Sequence, residues 1–281
     1  MDIKKIDAGN IEEYTDIIAP DIAENMVRMY YRGLACHDPG DASLKSALIW
    51  ELQSVEEDAD TESRIDCIYA RAPEDLNELL SAYHNEAVDE EVKRSFFELP
   101  SLEKGIQGEL KDRDFDIDAV EGMDVHITID ELSALPLAKK KAPDFVHSLA
   151  DLDTTAYHQG IMRLLLQSDA CPMEDMCYIP KSWFEQDISC YVITDGKVNG
   201  FLLIHEFPSG ILMPVFFRAT GADASRHIAY MMIYSINKAA KKYSGDRTVL
   251  IRRRAPYIEA LVEKFFPGRK GEPAVAGERK E

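Results

Sequence analysis

Long hydrophobic runs are absent from this chain. No apolar stretch approaches the ~18 residues that a membrane-spanning helix needs. The lysines of Met1-Asp-Ile-Lys-Lys-Ile-Asp7 lead into no apolar segment of the signal-peptide kind. Paired cysteines are absent as well. The five present, Cys36, Cys67, Cys171, Cys177 and Cys190, are odd in number, show no C-x-x-C spacing and have no histidine pair beside them. This pattern excludes a disulfide framework and a structural zinc site. The expectation is a reduced, cytoplasmic protein with no metal and no membrane partner. Basic residues are scarce in the first half. Residues 1–138 hold 34 acids against 12 bases, a net of −22, whereas the rest holds 17 against 20, a net of +3. Phosphate contacts need clustered Lys and Arg, so nucleic acid is excluded as a partner of that half. The acid excess has two readings: a cationic partner such as an amine or a basic peptide, or plain solubility.

What is present is a 46% apolar fraction, enough for real cores, in 281 residues, enough for two domains. The charge break coincides with Leu135-Pro-Leu-Ala-Lys-Lys-Lys-Ala-Pro143, which has two prolines, a basic run and no periodicity. It predicts domains at 1–135 and 144–281. In the first half, Ile3–Ile6 reads as a strand. Residues 10–29 read as a helix, with Asn10 and Glu13 spaced as a capping box and Pro20 a point of division. Strands are expected at 46–52 and 64–70, with an acidic hairpin tip at 56–62. A helix is expected at 73–83, a strand at 92–99, a helix at 101–111, and a last strand through Val125, Ile127 and Ile129. The second half repeats the order: helix 154–167, strands 189–194 and 198–206 joined by Asp195-Gly196, strand 211–217, helix 224–242, strand 248–251 and helix 256–265. Two copies of one α/β unit account for the repetition.

The most informative stretch is the run Ile211-Leu-Met-Pro-Val-Phe-Phe217 followed by Arg218-Ala-Thr-Gly221-Ala-Asp223 and a long helix. A strand, a glycine turn and a helix N-terminus together present backbone N–H groups to a phosphate. With the repeated element order, this stretch resembles the GNAT superfamily of N-acyltransferases, here as a tandem. The resemblance implies an α/β (α+β) fold of two domains, each a mixed, mostly antiparallel sheet flanked by helices. It implies acetyl-CoA or another acyl-CoA as cosubstrate, with pantetheine beside Phe216 and Phe217, pyrophosphate at Gly221 and Ala222, and Arg218 and Ser225 as further cofactor-binding residues. Asp223 stands where the family's turn has Gly or Ala. The matching place in the first half, Arg71-Ala-Pro-Glu-Asp75, has no glycine. The tyrosine that the family uses as general acid is replaced by Val262 in one half and Leu110 in the other, and Tyr257 is the nearby substitute. The family closes with two further strands, for which the tail after Phe266 has hardly the residues.

Candidates for the general base are Asp66 and Glu98, on or near the central strands of the first half. Their other reading is a pair of acids facing solvent. His205 at a strand end reads as a hydrogen-bonded surface residue. Arg252-Arg-Arg254 reads as a 3′-phosphate patch or as solvated charge. Tyr30, Tyr31 and Trp50 read as an acceptor cavity or as aromatic core. The favoured function is transfer of an acyl group from acyl-CoA to the amine of a small molecule or peptide. The alternative is a catalytically inactive ligand sensor or protein-interaction module. Nothing in the chain predicts an oligomeric state.

Overall fold

The computed structural model describes residues 2–40, 42–54, 60–167, 175–253 and 255–280. Cys171, Arg254 and residues 56–59 of the acidic tip lie outside the described residues. In chain order the elements are β1 Asp2–Ile6, α1 Pro20–Asn25, β2 Tyr31–His37, β3 Leu44–Gln53, β4 Glu62–Ala70, α2 Leu76–Asp89, β5 Arg94–Leu99, α3 Lys104–Lys111, β6 Asp116–Glu121 and β7 Asp124–Thr128. Then come α4 Ile129–Ala134, β8 Val146–Ser148, α5 Thr154–Gln167, β9 Cys190–Thr194, β10 Lys197–Glu206, β11 Leu212–Ala219, α6 Ala224–Lys242, β12 Thr248–Arg252, α7 Pro256–Phe265 and β13 Pro273–Lys280.

Among the described residues, two compact units emerge. Unit 1 takes 2–122 and 270–280, and unit 2 takes 123–167 and 175–269. The division therefore differs from the predicted one, because Leu135–Pro143 lies inside unit 2. The reason is a strand exchange. The sheet of unit 1 runs β1-β2-β3-β4-β5-β13-β6, and that of unit 2 runs β7-β12-β11-β10-β9-β8. The strand through Val125 and Ile127, expected to close the first half, instead pairs antiparallel with β12 from Asp124 to Thr128. The tail, expected to hold hardly a strand, supplies β13 between β5 and β6 of the other sheet. β13 is short of apolar residues, so its place is set by backbone pairing. Gly277 is required there, since a Cβ would overlap the Phe97 ring. Both sheets are mixed and mostly antiparallel. The parallel pairs are β4 with β5 and β11 with β12.

Each sheet is covered on both faces. In unit 1, Leu76, Leu79, Leu80 and Tyr83 of α2 and Ile106 and Leu110 of α3 pack on one face with Trp50 and Phe97. Tyr14, Ile18 and Met26 pack on the other with Tyr31 and Ile49. Trp50 and Tyr31 are thus buried in cores. In unit 2, α6 and α7 cover one face through Met231, Ile236 and Val262, and α5 covers the other through Tyr157, Ile161 and Leu164. Burying each such side chain contributes about 1.5–3 kcal/mol. The Asn10–Glu13 capping box does not form. Residues Ile11–Tyr14 make a 3-10 turn instead, and the Asn10 side chain accepts from Asp7 N and donates to Lys5 O. A capping box forms at α4, where Thr128 and Glu131 bond reciprocally.

Candidate functional site

Each unit carries a bulge in the strand that precedes its long helix. In unit 2, Leu203 pairs with Phe216 and Ile204 with Pro214, leaving Val215 as the extra residue. In unit 1, Ile49 pairs with Cys67 and Trp50 with Ile65, leaving Asp66. A bulge bends its strand and ends regular pairing. In unit 2 the parallel pair β11–β12 is joined only at Leu212 and Val249. The rest of β11 has no ladder partner on that side and offers backbone donors and acceptors to a ligand.

β11 leads into the turn. Gly221 has φ +90°, which suits glycine, and a Cβ there would meet nothing within 4 Å. The carbonyl of Gly221 accepts from Ala224 N at 3.1 Å, and Thr220 N donates to Asn199 O at 2.9 Å. Gly221, Ala222 and Ser225 are exposed, and among the described residues nothing accepts from the N–H of Ala222. Asp223 makes no side-chain cap, and its carboxylate turns to Arg226 at 3.1 Å. The acid in the turn is therefore charge-balanced by its own helix, although the pair is exposed and weak. The Arg218 guanidinium lies 5.5 Å from the Phe216 ring centroid. Phe216 and Phe217 are buried, one in the core under α5 and the other in the core under α6, so what they can offer a ligand is backbone.

The other predicted residues are dispersed. Asp66 and Glu98 lie on the neighbouring strands β4 and β5, each directly after Ile65–Phe97, the last pair of that ladder. Both belong to unit 1, whereas Tyr257 belongs to unit 2, half exposed near the start of α7. Asp66 does not face solvent as an isolated acid. Arg64 donates to it at 2.6 Å and lies 3.3 Å from Glu51, which in turn lies 3.4 Å from Arg28. The Tyr31 hydroxyl joins this network at 3.4 Å from Arg64, and burial pushes its phenol upward. Val262, in the place of the family's tyrosine, is buried in the core. Arg252 forms a two-pronged pair with Asp124 at 2.6 and 2.9 Å, so its charge is matched within unit 2. Arg253 instead lines a cavity of about 300 Å³ with Glu259, Glu263 and Arg269.

Sequence reasoning placed His205 on the surface. It is buried, its Nδ1 donates to Trp183 O at 2.6 Å, and its ring stacks on Trp183 at 3.6 Å. A carbonyl only accepts, so Nδ1 carries a proton. On the far face of the same strand end, the Tyr243 hydroxyl lies 3.0 Å from Glu185 and 2.9 Å from Glu206, and burial and these carboxylates push its phenol upward. Neither Trp183 nor Tyr243 carried a motif in the sequence.

In structure, the chain is similar along nearly its whole length to a tandem GNAT protein from the clavulanic acid biosynthesis pathway. The TM-score is 0.58, covering 99% of this chain and 98% of that one, at 11% identity. It is also similar to Saccharomyces cerevisiae N-myristoyltransferase with bound myristoyl-CoA, at TM-score 0.57 over 99% and 78% of the two chains and 12% identity. A third similar structure is a GCN5-related N-acetyltransferase from Kribbella flavida, with TM-score 0.53, coverage of 99% and 72% and 12% identity. No protein-family model matches the sequence, and no curated protein matches it. The fold is the GNAT fold in tandem form.

Proposed function

We propose that this protein is an N-acyltransferase whose unit 2 takes acetyl-CoA or another acyl-CoA and passes the acyl group to the amine of a small molecule or peptide. The observation that carries the reading is the bulged β11, free along one edge after Leu212, running into the exposed Gly221 turn at the start of the 19-residue α6. A pantetheine arm can bond the free edge as a short strand does. A pyrophosphate can accept from N–H groups at the helix start, where the macrodipole favours negative charge. In this reading Arg218 and Ser225 add charge-assisted bonds. The amine nitrogen attacks the thioester carbonyl, the C–S bond breaks, and the thiolate leaves as CoA after taking a proton. Tyr257 is the candidate donor of that proton. In this reading the amine sheds its proton to water.

The test is calorimetric titration with acetyl-CoA, followed by assays with polyamines, aminoglycosides and amino acids. The expected result is saturable micromolar binding and CoA release with one acceptor class. In Gly221→Glu the affinity should fall at least tenfold, and unchanged affinity would refute the assigned turn.

A second reading is a catalytically inactive ligand-binding module. It is favoured by Val262, buried where the family's general acid stands, and by the acid Asp223 in the turn. Binding of acetyl-CoA without turnover on any amine would select it.

A further inference from the structure

The sheet of unit 1 ends in two edge strands, β1 and β6. A strand edge carries a row of backbone N–H and C=O groups without partners, and another chain can add to it as a further strand. The two edges differ in charge. β1 holds Asp2, Lys4 and Lys5, so both signs are present. β6 reads Asp-Ile-Asp-Ala-Val-Glu, and its charges are acids only.

β6 is bonded along one side. It pairs with β13 from Glu121 against Pro273 to Asp116 against Glu278. Among the described residues, Asp116 to Val120 make no other backbone hydrogen bond. The strand is also uncovered. Asp116, Asp118, Ala119 and Glu121 are exposed, while Ile117 turns into the core. Asp116 and Asp118, two residues apart, share a face of the strand. Asp116 stands directly opposite Glu278, a like-charge pair that costs stability. Arg94 matches Glu278 at 2.7 Å, whereas neither Asp116 nor Asp118 has an ion pair among the described residues.

The wider field has the same sign. Residues 1–122 and 270–281 hold 34 acids against 15 bases, a net of −19, while residues 123–269 hold 17 of each. With the division taken from the fold, the net charge of the chain falls wholly on unit 1. Such a field draws in cations and turns away anions.

We infer that the outer edge of β6 is a docking strand for an extended basic peptide. The peptide backbone bonds the free edge, and Lys or Arg at every second position falls beside Asp116 and Asp118. The same acids turn away a second copy of this chain, since two β6 edges would set aspartate against aspartate. A polyamine has the charge but no C=O groups, so it cannot complete a ladder. The inference rests on unit 1 alone, and no step of it needs the acyl-CoA site of unit 2.

The test is fluorescence anisotropy with the full chain and a labelled peptide of alternating Lys and Thr, without acetyl-CoA. The expected result is saturable binding that weakens about tenfold or more in the double variant Asp116→Asn, Asp118→Asn, because paired opposite charges and ladder bonds act together at a strand edge. Methylating the peptide's backbone nitrogens keeps its charge and removes its ladder donors, and should weaken binding to a similar degree. No saturation at millimolar peptide would overturn the docking strand. So would equal affinity for the double variant, equal affinity of the methylated peptide, or displacement of the peptide by an equal concentration of spermine. Both aspartates are exposed, and the methylated-peptide arm uses the wild-type chain, so the test does not depend on how the variant folds. A chain that binds the peptide but not CoA loses the acyl-CoA reading alone. One that binds CoA but not the peptide loses the docking strand alone.

Discussion

Single side chains in this protein are set by close packing and by charges taken out of water. Gly277 is the tightest case. In Gly277→Val, new methyl groups would press on the Phe97 ring across the β5–β13 pair. Overpacking of this kind costs about 1–3 kcal/mol, which a urea titration would register as a lower midpoint with unchanged slope; an unchanged midpoint would show that Phe97 gives way freely. Cys190 is the second case. It is buried against Ser235, and burial pushes its thiol up to about 12 from an ordinary value near 9. The folded state keeps a proton that the unfolded chain releases, so this contribution is intact below pH 9 and is lost as pH rises toward 12. Urea midpoints at pH 8, 9.5 and 10.5 should decline less steeply in Cys190→Ala than in the wild type. Equal declines would show that Cys190 has no part in the alkaline loss. Asp223 gives the counterexample to reading residues one by one. From sequence it is an acid in a phosphate turn; in the fold its charge is matched by Arg226, one helical turn on.

Among the elements, those with their own periodicity were legible and those made by pairing were not. The rows Ile228, Met232, Ser235 and Ala239 of α6 mark a helix because the apolar face repeats every 3–4 residues, and α6 runs from Ala224 to Lys242. Asp195-Gly196 marks the β9–β10 hairpin because that dipeptide suits a two-residue turn. β2 was not legible. It is covered on both faces, Leu34 in one core and Ala35 in the other, so it shows no alternation of apolar and polar residues. β13 was still less so, since Pro-Ala-Val-Ala-Gly-Glu-Arg-Lys is strand only because β5 and β6 flank it. The Gly221 turn was legible from a strand, a glycine and a helix in succession, whereas the bulge at Asp66 has no sequence signal. Deleting residues 270–281 should leave β5 and β6 with bare edges, and bare edges pair with other chains. The truncated protein is expected to elute as aggregate in size-exclusion chromatography. A monomer with unchanged circular dichroism would show that β13 is dispensable.

For the molecule as a whole, β7 leaves the first stretch of chain for the sheet of unit 2, and β13 returns from beyond unit 2 to the sheet of unit 1. The sheet of unit 1 is not complete without a strand that follows all of unit 2 in the chain. The two units should therefore melt together. Scanning calorimetry is expected to show one endotherm with equal calorimetric and van't Hoff enthalpies. Two resolved endotherms would mean that one unit unfolds while the other keeps its strands.

The exchange also orders events during synthesis. β6 is made early, but the strand that must slide in beside it follows all of unit 2, about 150 residues later. At usual elongation rates of about 5–20 residues per second, that gap is roughly 8–30 s. Through that interval the nascent β5 and β6 wait without their common neighbour, long after local helices have formed. A ribosome-bound chain should thus acquire protease resistance in unit 2 before unit 1, and vectorial translation would make the second-born unit the first to mature.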